Sequence, residues 1–246
     1  MSTQSQDKSL TKIPLRAVLI VPFVIQVILI TGLVGYISFL NGQRAVNNVA
    51  NQLLNELTHR IEEHLYDFLA IPHQINQHNT NAIRQGMPDA RDPIALERYF
   101  WEQIQVCDSV TSIYFGNPQG GLANAGREGA DGSLYVIATD GFARGPFRKY
   151  ATDGVGNRTE LLTTVPDFDA RTRGWYADAV AKADATWSDV YILFTGQDMA
   201  ISASRPVYDE QDNLLGVVAV DIFASHINDF LKKLQIGETG LRFIME

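Results

Sequence analysis

Gly216-Val217-Val218-Ala219-Val220-Asp221-Ile222-Phe223 decides how the second half of this chain folds. The run is too short for a typical helix, rich in β-branched residues and apolar at successive positions, so it reads as a strand covered on both faces. A carboxylate on such a strand is costly unless something pairs with it. The stretch that calls for a sheet therefore also calls for a partner for Asp221, either an arginine of the protein or the ammonium group of a bound molecule.

Outward from this strand, Met199–Val207 and Val190–Phe194 read as two antiparallel neighbours, with turns at Thr195-Gly196-Gln197-Asp198 and Tyr208–Asn213. Further upstream, Val110–Phe115 reads as a strand closed by the turn Gly116-Asn117-Pro118-Gln119-Gly120-Gly121. Leu122–Asn124, Ser133–Ala138 and Leu161–Val165 are further strand candidates. Helices are expected at Pro93–Val106, with Asp92 as cap and Pro93 in the first turn, at Trp175–Lys182 and at Ala224–Leu234. A strand-rich segment with helices on its flanks is an α+β domain.

Before it, residues from about 42 to 78 form one long helix, with a stripe at Val46, Val49, Leu53, Leu57, Ile61, Leu65 and Phe68. The stripe either packs on its own domain or pairs with a second copy in a parallel dimer. His59 and His64, like His73 and His78, are five residues apart, which points them roughly 140° away from each other, so no metal site is expected there. Ahead of this helix, the 27 positions from Ala17 to Gln43 carry no charge, more than the roughly 20 needed to cross a bilayer. Lys8, Lys12 and Arg16 against Asp7 place the N-terminus in the cytoplasm and the chain beyond the span outside. A cleaved signal peptide fits less well, because the run is long and Leu40-Asn41-Gly42-Gln43 lacks an Ala-x-Ala-like site.

The net charge of −8, with no dense Lys/Arg cluster, argues against nucleic acid as a partner. The lone Cys107 reads as a small hydrophobe, and no sequence neighbour suggests a His to activate it. Gly-x-Ser-x-Gly, His-Glu-x-x-His and a phosphate-binding glycine loop are missing, so no catalytic residue and no cofactor are assigned.

The candidate binding residues cluster around Phe168-Asp169-Ala170-Arg171-Thr172-Arg173-Gly174-Trp175-Tyr176. Arg173 offers a planar fork suited to a carboxylate. Trp175 brings an indole N–H and a flat face, and Tyr176 a hydroxyl on a ring that can sit beside an ammonium group. With Tyr191 and Asp221, they suit a small zwitterion. The alternative is that the aromatics are core residues and Arg173–Asp221 a structural ion pair.

Asp169-x-Arg171-x-Arg173-x-Trp175-Tyr176, Trp187-Ser188-x-x-Tyr191, Ile201-Ser-Ala-Ser-Arg-Pro206-Val207 and Gly216–Ile222 together resemble the distal module of double Cache domains. These are the extracellular sensors of bacterial histidine kinases, nucleotide cyclases and chemoreceptors. The resemblance implies a PAS-like antiparallel sheet with flanking helices behind a transmembrane helix and a long stalk helix. It divides the chain into a cytoplasmic N-terminus (1–16), a transmembrane helix (17–40), a stalk and dimerisation helix (41–91), a distal sensor module (92–234) and the start of a truncated membrane-proximal module (235–246). It implies a sensor fragment in the inner (plasma) membrane, without enzymatic activity of its own. The parent receptor is expected to be a histidine kinase, with a nucleotide cyclase, a chemoreceptor or a dimerisation module with a degenerate pocket as alternatives. The expected partners are a small amino acid, amine or organic acid, the membrane and a second copy of the chain.

By analogy with the amino-acid-binding subset of that family, Arg173 and Trp175 would face a carboxylate, Tyr176 and Asp221 an amino group, and Tyr191 would line the pocket. Phe168 stands where that subset has a tyrosine, and Leu193 where an acid often lies. One missing hydrogen bond to a charged group is worth roughly 10–100-fold in affinity.

Overall fold

The computed structural model describes residues 15–129, 131–193 and 198–233. The turn residues Thr195, Gly196 and Gln197, the expected strand end at Phe194, the helix end at Leu234, residues 1–14 and the segment 235–246 lie outside the described residues.

The apolar span and the stalk are one helix, α1 (Leu15–Arg84). It runs through Pro72, which cannot donate to the Phe68 carbonyl, and ends ahead of Gly86 at φ 77°. Its N-terminal part contains a window of mean hydropathy 2.6, long and apolar enough to cross a membrane. The chain divides into two compact units, residues 1–60 and 61–246.

In the second unit, α2 (Pro93–Ile104) starts as the sequence predicts, with the Asp92 side chain accepting hydrogen bonds from the backbone N–H of Ile94 and Ala95. Nine antiparallel strands then form one sheet. They are β1 (Ser112–Gly116), β2 (Leu122–Glu128), β3 (Ser133–Thr139), β4 (Gly145–Thr152), β5 (Arg158–Phe168), β6 (Thr186–Trp187), β7 (Tyr191–Ile192), β8 (Met199–Tyr208) and β9 (Leu214–Phe223). The spatial order is β5-β4-β3-β2-β1-β9-β8-β6, and β7 pairs with β8. Two further helices are α3 (Gly174–Lys182) and α4 (Ala224–Lys233).

The first and last strands, β1 and β9, are neighbours at the centre of the sheet, where both faces are covered. Successive residues on them alternate between two cores. Ile113, Phe115, Val218 and Val220 pack on one side with Leu96, Phe100 and Ile104 of α2 and with Ile83 of α1. Tyr114, Val217 and Ala219 face the other core, with Trp175, Tyr176 and Ala179 of α3. Cys107 is half-buried at the margin of the first core, and burial pushes its thiol pKa up, which fits a packing role.

The expected strands are present, with two additions. β4, Gly145-Pro-Phe-Arg-Lys-Tyr-Ala-Thr152, has too little apolar periodicity to stand out, and β6 has two residues. β4 is held by pairing on both sides, with β3 and β5. β5 is the edge strand, which leaves Leu161 and Leu162 about half exposed.

Candidate functional site

Hydrogen bonds hold the turn before α3 against the β1–β2 connection. Asn117 donates to the Phe142 carbonyl at 2.6 Å and accepts from the N–H of Gln119 and Gly121. The Gly120 carbonyl then accepts from the Ala170 N–H at 3.0 Å. Asp169 caps the single 3-10 turn Ala170–Thr172 and binds both guanidinium edges of Arg171, at 2.9 and 2.7 Å. This pair holds the Asp169 carboxyl below the usual range. The neighbouring acid Asp167 pairs with Arg144. Arg171 is thus engaged with Asp169, while Arg173, two residues on in extended backbone, lines the cavity beyond.

Trp175 packs edge-on against Tyr114, with ring centroids 4.9 Å apart. Its ring lies over Gly116, where an added Cβ would come within 2.6 Å of Trp175 Cη2. Only glycine leaves room for the indole there, a role beyond the turn that the sequence suggests for it.

Phe168, Arg173, Trp175, Tyr191 and Asp221 line one cavity of about 60 Å³. By that measure a single water needs roughly 10–15 Å³, so the space suits a small molecule. Tyr176 does not line it. Consecutive helix residues point about 100° apart, and with Trp175 turned to the cavity, Tyr176 packs behind it with centroids 5.6 Å apart. Leu193 lines the cavity as well.

At the β9 end Asp221 is buried, at 3% exposure, but it is well supplied with donors. Tyr114 and Tyr191 donate to Oδ1 at 2.6 and 2.8 Å, Ser112 donates to Oδ2 at 3.0 Å, and Ser202 also donates to Oδ1. Ser202 also lies within hydrogen-bonding distance of both tyrosine hydroxyls. The partner that the sequence demanded for Asp221 is therefore at least in part a ring of neutral hydroxyls. Burial pushes the Asp221 carboxyl above the usual aspartate range, and the four hydroxyl donors oppose that rise. Burial first, then the Asp221 charge, holds the Tyr114 and Tyr191 phenols well above their ordinary value. The Arg173 guanidinium lies 5.6 Å from the centre of the Tyr191 ring.

Sequence reasoning missed Ser112, Tyr114 and Ser202. Ser112 and Ser202 flank Asp221 in register on β1 and β8, a cross-strand row that one sequence does not display. The available signal was the single polar residues set into otherwise apolar strands.

Residues 130–229 match the model of the methyl-accepting chemotaxis protein-like first PDC sensor domain. The chain carries a PDC/Cache sensor domain. The sensor is 29% identical over 117 residues to the methyl-accepting chemotaxis protein McpB of Bacillus subtilis, which covers 46% of this chain. It is 30% identical over 112 residues to TlpB of the same organism, covering 40% of the chain. In both cases the match spans 16% of the relative's length. Among solved structures, the sensory domain of the Campylobacter jejuni chemoreceptor Tlp3 with isoleucine bound aligns at a TM-score of 0.47 and 16% identity, covering 72% of this chain and 61% of that one.

Proposed function

We propose that this chain is the sensing part of a chemoreceptor-type membrane protein and that its cavity binds a small amino acid or amine. The observation that carries the reading is the placement of opposite charges, with Asp221 in its hydroxyl ring and the Arg173 guanidinium both lining one small cavity. In this reading Asp221 holds the ligand ammonium, Arg173 and Trp175 take the carboxylate where there is one, and Tyr176 supports Trp175 from behind. Phe168 and Leu193 supply apolar wall, so fewer polar groups hold the ligand.

Matches to chemotaxis proteins favour a chemoreceptor over the histidine kinase expected first. Residues 17–40 would cross the plasma membrane, 41–91 form the stalk and 92–234 the extracytoplasmic distal module. Val46, Val49, Leu53 and Leu54, each more than half exposed, would be covered by a second copy.

The test is thermal stabilisation of the whole chain in lipid nanodiscs by amino acids, amines and organic acids. A ligand at 100 times its Kd adds about 2.7 kcal/mol, and Arg173→Ala and Asp221→Ala should each remove the shift caused by an amino acid. A panel with no stabilising ligand, or a shift that survives in a folded Arg173→Ala chain, overturns the reading.

A further inference from the structure

Asn124 is the polar group of the cavity that the site described above does not use. It sits on β2 at 5% exposure and lines the cavity. Its Oδ1 is fully buried without a hydrogen-bond partner in the protein. The sheet explains why. Its cross-strand neighbours are Tyr114 on β1 and Ile137 on β3. Tyr114 commits its hydroxyl to Asp221 and Ser202, and Ile137 has nothing to donate. Two residues away on its own strand, Leu122 adds apolar wall, and Gly126 carries no side chain and is covered by the Tyr135 ring. Phe147 and Phe168 close the same side of the cavity. A single amide thus stands in an apolar lobe with its acceptor unmet.

Resting on the binding reading above, we propose that Asn124 is a specificity-determining residue that selects ligands whose side chain ends in a neutral hydrogen-bonding group, a hydroxyl or a carboxamide. An amide offers both a donor and an acceptor, which matches such a group whichever way it is turned. An aliphatic side chain of the same shape would enter the lobe but leave Oδ1 unpaired, and a site built around a hydrogen bond discriminates strongly against the analogue that lacks it. A charged side chain would find no counter-charge among Leu122, Ile137, Phe147 and Phe168.

The test uses two pairs of near-isosteric probes, L-threonine with L-valine and L-asparagine with L-leucine. Binding is measured by titration calorimetry on the whole chain in nanodiscs, for the wild type and for Asn124→Leu, which keeps the size of the side chain. The wild type should favour the polar member of at least one pair by roughly 10–100-fold. Asn124→Leu should abolish or reverse that preference while still binding the aliphatic member, which shows that the variant is folded. Equal affinities in the wild type, or a preference that survives in Asn124→Leu, overturn the role of Asn124 but leave the amino-acid pocket standing. No binding of any probe to a folded wild type overturns this inference together with the reading it rests on.

Discussion

At the scale of single residues, Asp221 dominates the site because its four donors do not offset the loss of water. Its folded pKa lies above the unfolded value of 3.8. By linkage, its stabilising contribution is present in full below that value and is lost as pH rises through the folded pKa, where the fold must hold a buried charge. Urea melts at a series of pH values should therefore show the wild type losing stability relative to Asp221→Asn as pH is raised from below 3.8. A constant difference across the range would contradict this assignment. Tyr114→Phe removes a donor to the same carboxylate and leaves one fewer partner for a buried group, which costs about 1–3 kcal/mol. The penalty should be largest at neutral pH, where Asp221 is more fully ionised. Arg173, Trp175 and Asp221 were visible in the sequence because their chemistry is unusual for their surroundings. Asn124, Ser112 and Ser202 were not, because an ordinary polar residue in a strand gains meaning only from what lies across the ladder from it.

At the scale of elements, two close approaches set the site. Gly116 ends β1 under the Trp175 ring, so Gly116→Ala must displace the indole or the turn that carries it. Overpacking of this kind costs about 1–3 kcal/mol, and the variant should lose stabilisation by ligand as well as stability. The second is the Ala170 N–H on the Gly120 carbonyl, which ties the turn before α3 to the β1–β2 connection. The cap of α2 is a simpler case, remote from both. Asp92→Ala should cost about 1 kcal/mol in chemical denaturation and leave ligand affinity unchanged, since α2 packs on the face of the sheet opposite the cavity. A matching loss of affinity would mean that the two faces are coupled. Helix boundaries were legible from caps and breakers, as at Asp92 and Pro93. The strand β4 was not, because Arg148 and Lys149 interrupt its apolar pattern. Lys149 is nonetheless buried, paired with Glu128 and placed 4.0 Å from the centre of the Tyr135 ring.

At the scale of the molecule, the second compact unit begins within α1, at Ile61. Ile71 and Ile75 pack against the core on the α2 side, Ile83 lies inside it, and Asn76 donates to the Ala203 carbonyl at 2.8 Å. A chain that starts at residue 61 should therefore melt cooperatively. One that starts at residue 85 loses these contacts, at about 1.5–3 kcal/mol for a fully buried isoleucine, against a total of roughly 5–15 kcal/mol for a domain. Circular dichroism melts of the two chains compare them directly. Equal midpoints would show that the end of α1 contributes nothing to the fold.

The sequence by itself determined the apolar span, the long helix, the α+β class and the residues whose chemistry is out of place, because periodicity, caps and a carboxylate in an apolar strand are local signals. Only the tertiary structure decided which groups meet. The β1–β9 and β8–β9 registers bring Ser112 and Ser202 to either side of Asp221. The helix step of about 100° turns Trp175 to the cavity and Tyr176 away, and Asp169 engages Arg171 while Arg173 lines the cavity. Each of these depends on strand register or on the packing of one element on another, and residues far apart in the chain carry no local trace of that choice.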